Sequence, residues 1–118
     1  MWLRPQNCTH CCCTSRGRFA GVDEACRKID RDPKTLTHSI AQVLCVGQDE
    51  AELAKRAAAI GREVDELRAN GLAGTPAEVV EKLERFAAAG TERAYLQVLD
   101  LSDLEHLELT AAEILPRV

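Results

Sequence analysis

Residues 38–46, His-Ser-Ile-Ala-Gln-Val-Leu-Cys-Val, closed by Gly47, and residues 94–99, Ala-Tyr-Leu-Gln-Val-Leu, decide the fold class. Both are short, nearly continuous apolar runs, the pattern of strands buried on both faces. Helical material separates them, so they are expected to pair in parallel, because a parallel connection must carry the chain back along the sheet. The class is therefore α/β.

Working outward, Asp49 is placed to cap a helix whose Leu53, Ala57 and Ile60 share one side, with Gly61 as its left-handed stop. Val64 and Leu67 add a helical turn over 62–69 before Asn70-Gly71 turns the chain. Gly74-Thr75-Pro76-Ala77-Glu78 is a capping box with proline at the first helical position, and it opens a helix striped by Val79, Leu83, Phe86 and Ala87 and ended by Gly90. Ser102 with Glu105 repeats the box before a last helix, expected to bury Leu104, Leu107, Ala111 and Leu115 until Pro116. Upstream, Val22, Cys26 and Ile29 predict a helix over about 20 to 30, stopped at Asp32-Pro33. Residues 1–18 lack either period and read as an unstructured, cysteine-rich tail.

At 118 residues the chain has room for one domain. Fifteen Lys and Arg against nineteen Asp and Glu leave a formal charge of −4, which offers no positive field for nucleic acid. No apolar run is long enough to span a membrane, and the N-terminal residues lack the apolar core of a secretory signal. The six cysteines accordingly read as thiols in a cytoplasmic protein. With aromatics at only 3%, the core must be built from Ala, Leu, Val and Ile. Two strands do not make a sheet, and nothing in this composition compensates for the shortage.

From about Phe19 onward the chain resembles the C-terminal end of the luciferase-like monooxygenases, especially those that use the deazaflavin coenzyme F-420. The carrying segments are DEACRKIDRDPKTLTHSIAQVLCVG, NGLAGTPAEVVEKLERFAAAG and RAYLQVLDLSDLEHLELTAAEILP. The resemblance implies the last two strand-helix units of a TIM (β/α)8 barrel, with 39–46 as strand seven and 94–99 as strand eight. It implies hydride transfer or monooxygenation on a small-molecule substrate with F-420 or FMN. A barrel needs about 250 residues, so strands one to six and most of the cofactor pocket are missing, and the chain alone is expected to be inactive and to bind no cofactor. Residues 1–18 fall outside the resemblance, and their fusion to Phe19 reads as a frameshift, a truncation or a misassigned start. The competing expectation is a non-catalytic α/β module that associates with itself or a partner chain through exposed strand edges.

Four residues are cofactor-binding candidates. Gly74 and Thr75 open a helix whose free N–H groups can receive a phosphate, in competition with the capping box. Gln97, with Gln42, is a mid-strand amide that either contacts a ligand or satisfies a neighbouring interior amide. Asp100 stands at the carboxyl end of its strand, the catalytic face of a barrel, or serves as a turn residue. His38 belongs to the opposite face, and His106 reads as a solvated side chain that titrates near neutrality. Cys8, His10, Cys11, Cys12 and Cys13 include zinc-ligand types, but all crowd within six residues, so that a thiol-rich tail is the competing reading. Cys26 and Cys45 fall on core patterns. No catalytic residue and no metal ligand is assigned.

Overall fold

A computed structural model describes residues 12–118, with side chains from Ser15 onward. The chain runs through α1 (Cys12–Lys28), a 3-10 turn (Pro33–Thr35), β1 (Ser39–Val46), α2 (Glu50–Ala59), α3 (Val64–Asn70), β2 (Leu72–Gly74), α4 (Pro76–Ala88), β3 (Arg93–Gln97), α5 (Leu104–Glu113) and a closing 3-10 turn (Leu115–Arg117). The strands form one parallel sheet in the order β2-β1-β3. The two strands expected from the sequence are neighbours, with Ser39 opposite Arg93 and Val43 opposite Gln97.

The third strand, β2, was not anticipated. Its three buried residues lie between the Asn70-Gly71 turn and the Thr75-Pro76 cap, too few to display any period. It completes the sheet on the far side of β1, pairing Leu44 with Leu72 and Val46 with Gly74.

Side-chain alternation along the central strand builds two cores. Ile40, Leu44 and Val46 point to one face, against Val79, Val80, Leu83 and Phe86 of α4 and Leu109 of α5. Cys45, with Val43 and Ala73, points to the other, against Leu53 and Ala57 of α2 and Leu67 of α3. Helices thus cover both faces of the sheet, whereas a (β/α)8 barrel carries its helices on the outer face alone and keeps its strands in chain order around the ring. The second layer stops short: α2 and α3 shield β1 and β2, but Ala41, Tyr95 and Gln97 remain exposed. β3 is therefore half-exposed, not buried on both faces as its apolar run suggests.

The helix starts obey their caps. Asp49 accepts the Glu52 N–H at 2.8 Å, and Thr75 and Glu78 form the reciprocal box. Gly61 ends its segment with φ 68. Three boundaries differ from expectation. The first helix begins at Cys12, so residues 12–18 of the supposed tail are helical, and it ends at Lys28, with Asp30 in the left-handed region at φ 57. Asp32 instead caps the following 3-10 turn, where it accepts the Lys34 N–H at 3.0 Å. Asp103, not Ser102, caps α5, and the helix turns a different face inward: its buried residues are His106, Leu109 and Thr110, while Leu104 and Leu115 are 64% and 53% exposed. The apolar stripe through Leu104, Leu107, Ala111 and Leu115 is the outer face.

Candidate functional site

Because all three strands are parallel, their carboxyl ends share one edge of the sheet. Winding outward from β1 in both directions opens a crevice beyond the ends of β1 and β3, the usual ligand position in open α/β sheets. The chain closes this edge tightly at Gly47, where a side-chain carbon would come within 2.5 Å of the Leu53 backbone nitrogen. Glycine there lets α2 start directly over the end of β1.

Arg56 on α2 is 7% exposed and lies at the bottom of the crevice. Its Nε donates to Asp103 Oδ2 at 2.8 Å, its Nη1 donates to the Val46 carbonyl at 2.9 Å, and it also pairs with Glu52. On the other face, His106 is 5% exposed, and its Nε2 accepts the Val46 N–H at 3.0 Å. Asp103 joins the two: its Oδ1 accepts the His106 N–H at 3.0 Å. The β1–β3 ladder stops at Val43 and Gln97. Past that point, the backbone polar groups of Val46 are satisfied by a guanidinium from one helix layer and an imidazole from the other.

The charges follow this geometry. Burial opposes the Arg56 charge, but the Asp103 hydrogen bond, with the Asp103 and Glu52 charges, outweighs it and raises the guanidinium above its ordinary value. The Arg56 hydrogen bond in turn holds the Asp103 carboxyl below the usual carboxylate range. Burial, with the Arg56 charge added, lowers His106, which is the neutral acceptor the Val46 N–H requires. Burial raises the Cys45 thiol, so it stays protonated and inert. Cys26 is likewise a buried free thiol, in keeping with the core reading of both.

Asp100 lines the crevice, but its carboxylate is engaged in a turn, accepting the Ser102 N–H at 3.0 Å and the Ser102 hydroxyl at 2.5 Å. Gly74 and Thr75 stand at the end of β2. There the Glu78 carboxylate accepts the Thr75 N–H at 2.7 Å, and the Thr75 hydroxyl accepts the Glu78 N–H at 3.4 Å. Gly74 has φ 137, and a side-chain carbon there would lie 2.3 Å from the Glu78 carboxylate. The Thr75 hydrogen bond lowers the Glu78 carboxyl, so an anion already occupies these donors. Replacing Thr75 with alanine is expected to lower stability by about 1 kcal/mol, read as a shift of the urea midpoint.

Gln97 ends β3 on the exposed side and does not line the crevice. Gln42 points to the opposite face, opposite Leu96, so the two amides do not satisfy one another. His38 is at the amino edge, as expected. It stacks on Phe19 with ring centroids 4.3 Å apart, and its Nε2 lies 3.0 Å from Asp23 Oδ1, fastening α1 to the sheet. His106 overturns its reading as a solvated residue, because it lies on the face that α5 turns into the core.

Arg56 was missed. Its signal was available: it sits three residues after Leu53 and four before Ile60, a charge on the apolar face of its helix. Of the zinc set, Cys8, His10 and Cys11 lie outside the described residues, and Cys12 and Cys13 open α1. Among the described residues no group of three or more His, Cys, Asp or Glu is arranged to hold a metal ion.

The crevice encloses about 290 Å³ between Glu52, Lys55, Arg56, Asp100, Asp103 and Glu105, four carboxylates to two cations. Its buried cation is committed to internal partners. Neither this acidic cavity nor the Glu78-occupied start of α4 fits the phosphate of a flavin or deazaflavin. What the arrangement does chemically is to fasten two helix layers to the end of the central strand. Among the described residues no helix is long and apolar enough to cross a membrane. Scans of family models, curated proteins and solved structures returned no match to this chain.

Proposed function

We propose that the chain is the C-terminal portion of a luciferase-like TIM (β/α)8 oxidoreductase, comprising its last two strand-helix units, and that alone it neither binds F-420 or FMN nor turns over a substrate. In the intact enzyme those coenzymes supply hydride transfer or monooxygenation on an organic small molecule in the cytoplasm, and the protein positions them. The reading rests on the sequence likeness of the three quoted segments, which fall in turn on β1, on β2 with α4, and on β3 with α5. The order β2-β1-β3, with β2 falling in the chain between the strands read as seven and eight and helices on both faces, is that of an open sheet and counts against the barrel. At the carboxyl edge of the sheet the N–H groups at Thr75 and the Arg56 guanidinium are held by Glu78, Asp103, Glu52 and Val46, which supports the expectation that the chain without the other strands takes no cofactor phosphate.

The test is a fluorescence titration of the 118-residue chain with F-420 and with FMN. No saturable change is expected up to about 100 μM cofactor. Saturation in the low micromolar range would overturn the claim that the missing strands are needed.

A second reading is favoured by one observation. Tyr95 in β3 and Leu99 just past its end are 52% and 50% exposed, although a parallel sheet is ordinarily covered on both faces. On this reading the chain is a non-catalytic α/β module that acts through self-association at that strand.

A further inference from the structure

We propose that two copies of this chain join edge to edge through β3, antiparallel about a two-fold axis at Tyr95, to make one six-stranded sheet. The inference rests on the second reading above and specifies its interface.

Among the described residues β3 pairs with β1 alone, so alternate backbone N–H and C=O groups along Arg93–Gln97 face outward with no strand beside them. Sheet edges in isolated proteins are usually blunted by proline, lysine or a bulge. Arg93 is the only charge in this strand, and it contains no proline. Both flanks of the edge carry apolar side chains. On the α4 side, a cavity of about 290 Å³ opens between Phe86, Leu96, Leu115 and Val118, with Glu92 and Arg93 also lining it. On the other side stand Tyr95 and Leu99, uncovered because α2 and α3 stop at β1. A strand added here would bury apolar surface on both faces as well as pair the backbone.

A second copy is the occupant for which this edge is self-complementary. A two-fold axis perpendicular to the sheet makes the added strand antiparallel and sets odd-numbered residues opposite odd-numbered ones. Centred on Tyr95, it pairs all five residues of β3: Arg93 faces Gln97 of the second copy, Ala94 faces Leu96, and the two tyrosines meet. Beyond the strand, Glu92 faces Val98 and Thr91 faces Leu99. No like charges oppose one another, and each guanidinium faces a neutral acceptor.

Sedimentation velocity on the full chain under reducing conditions, over a concentration series, tests this. A concentration-dependent dimer is expected. Gln97→Glu places two carboxylates against the two Arg93 side chains and is expected to lower the dimer Kd by about two- to thirty-fold, and Gln97→Arg to raise it by a similar factor. Gln97 is exposed, so neither change disturbs the monomer core. A monomer at every concentration would overturn both the second reading and this interface. A dimer whose Kd ignores both substitutions would leave self-association standing and overturn the β3 pairing.

Discussion

Asp103→Ala is expected to lower the unfolding free energy by about 3 kcal/mol, from two separable losses. The first is the cap: Asp103 Oδ1 accepts the His106 N–H at 3.0 Å, and removing such a side chain costs about 1 kcal/mol. The second is the partner of Arg56, whose side chain is 8% exposed. Breaking a buried ion pair from one end costs about 3–5 kcal/mol, because the surviving charge remains desolvated. Here that cost is reduced to about 2 kcal/mol, since Glu52 and the Val46 carbonyl still hold the guanidinium and the Asp103 carboxylate is 24% exposed. Urea denaturation measures the sum, and a double-mutant cycle with Arg56→Met separates the parts. The cycle should return a coupling of about 1–2 kcal/mol, with the double variant less destabilised than the two single losses added together. Simple additivity would mean that Asp103 acts only as a cap.

The parts of the fold legible in the sequence were those whose signals are local. Asp49, Thr75 with Glu78, and Gly61 each act within one turn of helix, so their residue types announce their positions. The apolar runs at 38–46 and 94–99 located two strands for the same reason, although the second stops at Gln97, and the helices between them implied the parallel pairing. What escaped was set by distant contacts. β2 is a strand only because β1 offers it an edge, and the face that α5 turns inward is the one whose His106 and Leu109 meet β1, with His106 bonded to Val46 60 residues away. With that face inward, the leucines at 104, 107 and 115 became surface and His106 became core. The site residues divide similarly. Asp100 lies three residues past the end of β3, and its carboxylate takes the turn reading. Arg56 and His106 have no local motif, because the group each one serves, Val46, is remote in sequence.

His106 makes the fold acid-sensitive above the range where carboxylates titrate. As a neutral imidazole it accepts the Val46 N–H through Nε2, and an imidazolium has no lone pair to accept with. Burial foremost, and then the Arg56 charge, lower its folded pKa, while Asp103, Glu52 and Asp100 act in the opposite sense without reversing it. The unfolded chain titrates near the ordinary value of about 6.5, so between that value and the lower folded one the unfolded state binds more protons. The stabilisation is complete above about pH 6.5 and is lost as the pH falls toward the folded pKa. The Asp103 and Glu78 contributions have the same sign, but both carboxyls sit below their ordinary range, and their stabilisation is lost only under more acid conditions. Losing the acceptor strands a buried N–H at the end of the central strand, which bounds the effect at about 1–3 kcal/mol. The control is His106→Gln, whose side-chain oxygen can accept from Val46 and does not titrate. Urea midpoints at pH 7.5 and 5.5 should fall for the native chain and hold nearly level for the variant. Since His38 is present in both proteins, an equal fall in the two would assign the acid sensitivity elsewhere and remove His106 from the account.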